Sequence, residues 1–308
     1  MSEKSLFQRP FWVAFFAFSA AFLWGWAYPI IKMGFGYFGI AADMTGSKML
    51  FAGIRFCISG VIILMMALFA HKPMGFNPIG ESSLRAFLYV MAYALLNTTL
   101  HYAAFYIGLS HSEGARAAIL NSLSVFLLVI LACLFFKSDK MTLKKMLGCV
   151  VGFLGVASLS LGNGESGEFT LLGDGMIILN TLCAAIAGLM TRGVGKRVNV
   201  FVGTGYSLGA GGLMLLLTGL LMGGTLPQIN MGGIICLSAL IVISTVGFGL
   251  YNKLLTCNPI GKVAIWNSLI PIVGCITSVI CLGEPFTWKY LFAAVLATAG
   301  VYIINREK

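Results

Sequence analysis

Apolar runs of about 20 residues recur along all 308 positions of the chain, and each is long enough to cross a bilayer. Ten runs can be marked, at 11–33, 47–69, 85–107, 114–136, 143–162, 172–192, 201–223, 232–254, 260–283 and 287–305. The links between them are mostly about 5–15 residues, too short to hold a soluble domain. No linker rich in Pro or Ser divides the chain, and the nearest thing to a midpoint is the polar turn Gly162–Glu168. The pattern predicts an all-α membrane protein with ten transmembrane helices. An even division gives five helices per half, residues 1–165 and 166–308. Five is odd, so the second half enters the bilayer from the opposite side, and the halves are expected to be inverted repeats around a central cavity.

One polar segment is written twice within this apolar background. Residues 118–123 read Ala-Ile-Leu-Asn-Ser-Leu and residues 264–269 read Ala-Ile-Trp-Asn-Ser-Leu. Asn121 and Asn267 stand 146 positions apart, and each lies five residues beyond a base, Arg116 or Lys262. An asparagine in the middle of a membrane helix is costly unless its amide is bonded. The pair therefore either faces one polar cavity or serves as glue between helices. Inversion would set Arg116 near one mouth of a central site and Lys262 near the other. Both, with Arg55, are candidate gates or anion contacts.

Composition fixes the class. The chain is 59% apolar and only 10% charged, where a soluble domain carries about 25%. The net charge of +10 is then a topology signal and not a mark of nucleic-acid binding. Fifteen of the 20 Lys and Arg residues fall on the side of the N-terminus. Four (Lys32, Lys48, Arg116 and Lys289) fall on the other, and Arg55 lies inside span two. That bias puts both termini in the cytoplasm, and a bacterial inner membrane is the expected location. The apolar run from Phe11 to Ile31 is too long for a signal-peptide core and reads as an uncleaved first span. The eight cysteines contain no C-x-x-C and read as small apolar residues, with no metal or cofactor implied.

Other polar side chains inside the spans nominate a binding site. Tyr93, Asn97 and His101 follow at i, i+4, i+8, which places them on one helix face that should turn inward. His101 is the only histidine within a span and could carry a proton. Trp24 and Tyr28 stand one turn apart, beside Pro29, which should kink or loosen the helix. Span nine offers Trp266 with Asn267, span eight Tyr251 and Asn252, and span six Asn180. Arg55 is the deepest base and needs backbone carbonyls, amides or an anionic solute to satisfy it. The glycine patches Gly203–Gly212 and Gly247–Gly249 should allow close helix contact.

Several short segments carry a family resemblance. They are Leu23-Trp-Gly-Trp-Ala-Tyr-Pro-Ile-Ile-Lys32, Gly53-Ile-Arg-Phe56 and Tyr106-Ile-Gly-Leu109 in the first half. Asn267-Ser-Leu-Ile-Pro271, Leu282-Gly-Glu-Pro285 and Ala299-Gly-Val-Tyr302 follow in the second. In this order and spacing the chain resembles the drug/metabolite transporter superfamily, in its ten-helix EamA-type branch. The family pattern often has Pro in span four where Val125 stands here. The resemblance implies two five-helix repeats around a cavity, and movement of small organic solutes, often outward.

All ten Asp and Glu residues lie at or beyond span ends. Four-helix multidrug relatives in that superfamily trade protons for cations at a membrane carboxylate, and this chain has none in that place. A neutral-to-positive cavity with amides and aromatics suits an amino acid or a related zwitterionic or weakly anionic solute. A phosphorylated sugar or organic acid is the alternative. No clustered His/Asp/Glu set, HExxH or GxSxG points to an enzyme. The expected partners are the solute and the bilayer. Monomer and homodimer both remain open.

Overall fold

The computed structural model describes residues 6–76, 82–136, 140–159, 169–258, 263, 265–285 and 287–305. Among them the chain forms ten helical rods and no strand. The first two are α1 (Pro10–Phe38) and α2 (Thr45–Phe69). α3 spans 83–110 as α-helical Ser83–Ala94, a π-turn at Leu95–Leu100 and α-helical His101–Ser110. α4 (Gly114–Phe135) and α5 (Leu143–Ser158) complete the first five. The rest are α6 (Leu171–Arg197), α7 (Val200–Leu221), α8 (Met231–Cys257), α9 (Ile265–Leu282) and α10 (Trp288–Asn305). Every expected span has its rod. Seven of these rods are long and apolar enough to cross a membrane by length and composition, and α10 is a shorter apolar helix. The division at 165/166 and Lys262 lie outside the described residues.

Helices are what the bilayer demands, because each backbone polar group must find a partner within the protein. Pro29 opens a gap in that scheme. It cannot donate to the carbonyl of Gly25, yet α1 continues through it as one helix from Pro10 to Phe38. The hydroxyl of Thr277 on α9, which donates to its own Val273 carbonyl at 2.8 Å, also approaches the Gly25 carbonyl at 3.4 Å. The outward faces are apolar: Leu134, Phe135 and Ile280 are each more than 70% exposed, as suits side chains meeting lipid.

The arrangement of rods repeats itself. α2 packs on α7, α4 on α9 and α5 on α10, each helix against its counterpart five places on. The remaining main pairings also come in matched couples: α1 with α8 and α6 with α3, α1 with α9 and α6 with α4. Exchanging every helix for its counterpart leaves these main pairings unchanged. The self-paired rods run antiparallel. Gly46 of α2 meets Gly224 beyond the end of α7, and Gly60 meets Gly209. Gly114 at the start of α4 meets Ser278 near the end of α9, while Ala118 meets Gly274. Gly148 meets Ile304 and Gly155 meets Ala297 between α5 and α10. This is the pseudo-twofold of an inverted repeat. Small residues let the backbones approach: a Cβ on Gly60 would sit 2.2 Å from the Gly209 nitrogen. Gly209 and Gly212 belong to one of the glycine patches marked in the sequence.

Both Asn-Ser-Leu segments interrupt their helices. α4 is α-helical at Gly114–Asn121, pauses at Ser122, and resumes at Leu123–Phe135. α9 starts as a 3₁₀ turn, Ile265–Leu269, and becomes α-helical at Ile270. The same bond accompanies each break. Ser122 Oγ donates to the Ile119 carbonyl at 2.6 Å, and Ser268 Oγ to the Ile265 carbonyl at 2.7 Å. Back-bonding serines compete with the helical ladder, so α4 breaks with Val125 in the place of Pro271.

Candidate functional site

The breaks face a cavity of about 180 Å³ where α1, α2, α3, α4, α8 and α9 meet. Both halves contribute to its wall. Its polar side chains are Tyr28, Arg55, Asn97, His101, Tyr102 and Asn121, and Trp24, Phe105, Phe248 and Ile270 supply apolar surface. A cleft of similar size between α9 and α10 is lined by apolar residues alone, from Ile272 to Ala294. It offers nothing to orient a polar solute, so the mixed cavity is the functional candidate.

A relay of amides holds the wall. Asn180, fully buried on α6, donates through Nδ2 to Asn121 Oδ1 at 2.6 Å, and Asn121 Nδ2 donates to the Tyr28 hydroxyl at 2.9 Å. The second repeat answers in kind, with Asn267 Nδ2 donating to the Tyr251 hydroxyl at 2.8 Å. The Tyr251 ring then packs edge-on against Trp24, with centroids 5.1 Å apart. Each repeat asparagine thus bonds a tyrosine hydroxyl on another helix. Asn121 combines the two roles weighed from the sequence, since it joins helices and also lines the cavity.

Arg55 is 2% exposed and reaches the cavity from α2. Its Nε donates to Ser244 Oγ at 2.8 Å and its Nη1 to the Tyr106 hydroxyl at 3.0 Å. Both acceptors are neutral. The His101 ring stacks on Tyr102 at 4.4 Å, and its buried Nδ1 has no protein partner among the described residues.

Several candidates lie elsewhere. Arg116 is not a mouth residue: it is buried, and its Nε and Nη2 hold Asp174 bidentately at 2.8 and 2.7 Å, tying α4 to α6. Asp174 sits at a span end, as read from the sequence, but inside the protein, which is why the pairing was hidden. Tyr93 does not share the face of Asn97 and His101. The π-turn at Leu95–Leu100, which includes Asn97, adds a residue to the helical repeat, and Tyr93 packs against the cluster of Ala67, Val90, Val194, Val198 and Val202. Thr98, Thr99 and Asn97 anchor this turn to α7, at Ser207 and the Gly211 carbonyl. Asn252 donates to Thr204 on α7, and Trp266 packs edge-on with Phe18, both away from the cavity. Asn180, Tyr251 and Asn267 stand one layer behind the wall. The Lys32 ammonium pairs with Glu284 at 2.9 Å and donates to the Ser112 carbonyl.

Sequence reasoning missed Tyr102, Phe105 and Phe248 on the wall and Tyr106 behind it. Tyr102 and Tyr106, one turn apart, were a readable signal.

The two ends of the cavity differ. Toward the face where α1 ends, Phe35, Phe38, Phe51 and Tyr106 interlock with ring centroids 5.6–6.0 Å apart. Beyond them Glu284 accepts from the backbone N–H groups of Gly114 at 2.7 Å and Ala115 at 3.0 Å, and the Tyr290 hydroxyl bonds Glu113. Toward the face where α1 begins, residues 248–253 of α8 and 265–267 of α9 stay half-exposed.

Comparison with known proteins gives a consistent picture. A protein of Bacillus subtilis named "Uncharacterized transporter YvbV" is 24% identical over 92% of this chain and 88% of its own length. A Salmonella typhimurium protein named "Probable amino-acid metabolite efflux pump" is 22% identical over 94% of this chain and 93% of its own. A solved crystal structure superposes with a TM-score of 0.68 at 13% identity, over 93% of this chain and 95% of its own. It shares the fold. The family model described as the EamA-like transporter family matches residues 11–161 and 171–306, and the chain, an integral multi-pass membrane transporter, belongs to that family.

Proposed function

We propose that the protein carries a small organic metabolite, an amino acid or a related zwitterionic or weakly anionic solute, across a bacterial inner membrane by alternating access. The observation that carries this reading is the cavity itself, walled by polar and aromatic side chains from both inverted halves. In this reading the termini are cytoplasmic and the aromatic layer of Phe35, Phe38, Phe51 and Tyr106 lies on the outward side of the cavity. Loaded from the cytoplasmic side, the site would be exposed outward when the halves rock about α2–α7 and α5–α10, the pairs related by the pseudo-twofold. The amides of Asn97 and Asn121 and the aromatic rings suit the polar and apolar ends of such a solute. The relative named as an amino-acid metabolite efflux pump supports the same class.

A phosphorylated substrate has less behind it. Arg116 is neutralised by Asp174, which leaves Arg55 as the one arginine or lysine on the described wall, and a doubly charged phosphate calls for more than one base. No acid lines the described wall either, so exchange or facilitated diffusion is the expected mode, with the gradient set by metabolism.

The test is counterflow of radiolabelled amino acids in proteoliposomes. Asn121→Ala should lower the rate about tenfold or more while the purified variant remains monodisperse, since it frees Tyr28 and Asn180 together. Flux should persist after the pH gradient is collapsed. A wild-type rate in Asn121→Ala would reduce the amide relay to packing. The absence of saturable flux across a metabolite panel would sink the reading.

A further inference from the structure

Two arginines are buried among the described residues, and the protein treats them in opposite ways. Arg116 is matched to Asp174 through two parallel bonds, the arrangement that makes an ion tolerable out of water. Arg55 is as deeply buried, at 2% exposure, but no carboxylate among the described residues pairs with it. Neutral hydroxyls hold its Nε and Nη1 from two sides, Ser244 on α8 and Tyr106 on α3. Its Cζ also lies 4.8 Å from the Phe56 ring. These contacts fix the plane of the guanidinium without cancelling its charge. A buried cation without a counter-charge is expensive, and this one borders the cavity.

We infer that Arg55 is the residue that selects the solute, by binding a carboxylate brought in by the substrate as the counter-charge the protein itself does not supply. The inference deepens the transport reading and rests on it. The substrate is then a monocarboxylate whose body lies against the aromatic wall of Trp24, Tyr28, Phe105 and Phe248. The described wall holds no acid to meet an ammonium, so the carboxylate is the required group and the amine is dispensable. Ser244 and Tyr106 belong to different halves of the chain, so a relative movement of the halves would also re-aim the group that grips the solute.

The experiment compares acids with their own amides. Purified protein is titrated, by thermal stabilisation, with phenylacetate against phenylacetamide, nicotinate against nicotinamide, and L-phenylalanine against L-phenylalaninamide. At least one acid is expected to stabilise the wild type at a concentration about tenfold below that of its amide. In Arg55→Gln the advantage should shrink to about twofold or less, and in Arg55→Lys, which keeps the charge, part of it should remain. If Arg55→Gln does not fold, Ser244→Ala and Tyr106→Phe take its place. Each frees the guanidinium without removing it and should weaken binding of the acid more than of the amide. The inference is overturned if no acid outperforms its amide in the wild type, or if the preference survives in Arg55→Gln. Flux separates the two readings. Saturable transport that ignores the carboxylate sinks the role of Arg55 and leaves the carrier standing. Acid-selective binding without flux does the reverse.

Discussion

Asp174 and Arg116 show how much one side chain can decide. Both are buried, and their two bonds tie the start of α4 to α6. Asp174→Asn keeps the shape and removes the charge, leaving a guanidinium stranded away from water. Breaking a buried pair in this way costs about 3–5 kcal/mol, so the variant should melt well below the wild type in detergent. Replacing both partners with apolar residues of similar size should recover much of the loss, because the stranded ion is then gone. At this scale the sequence was a partial guide. Asn121, Tyr28, Trp24, Asn97, His101 and Arg55 were marked from their types and spacing, and the fold assembles all six around one cavity. Arg116 was marked for the same reason and serves elsewhere, since a base within a span reads alike whether its partner is a solute or a distant aspartate.

Between elements, the seam of α2 and α7 brings backbone against backbone, with Gly60 on Gly209. Two helices in lipid gain little from hiding apolar surface, so they hold together by packing and must come close. Gly60→Ala should therefore be costly: the new methyl would overlap the Gly209 backbone, which cannot rotate away. A loss of at least about 1–3 kcal/mol is expected, as for other overpacked contacts. Gly36→Ala is the matching control. It is exposed, no atom lies within 4 Å of its new methyl, and alanine favours the helix, so stability should hold or rise slightly. A thermal melt of the two variants tests the contrast. The π-turn in α3 is the element that hydropathy could not foresee. It is set by contacts from α7 to Thr98 and Thr99, and it turns Tyr93 off the face that regular spacing had assigned it.

For the whole molecule, the closure beyond the aromatic layer is the feature with a measurable consequence. Glu284 follows α9 in the second half, yet it caps the start of α4 in the first and pairs with Lys32 of α1. Glu284→Gln keeps the size, removes the charge and replaces one acceptor with a donor. The N–H groups of Gly114 and Ala115 should then exchange with deuterium about tenfold faster or more, while those of the α2–α7 seam stay protected. Equal exchange in the variant and the wild type would mean that the aromatic layer closes this end unaided.

Hydropathy alone determined that the chain crosses a membrane, how many helices it has, and that its halves oppose each other. Lipid excludes unpaired backbone, so apolar length translates directly into helix, and an odd number of crossings per half forces inversion. The doubled Asn-Ser-Leu marked two asparagines that hold tyrosine hydroxyls, but the helix breaks at the same segments were not foreseen. Tertiary structure decided the rest: which base meets an acid, which tyrosine receives which amide, and which arginine is left charged beside a cavity. Those outcomes depend on atoms brought within about 3 Å from helices far apart in sequence, and no local pattern encodes such a distance.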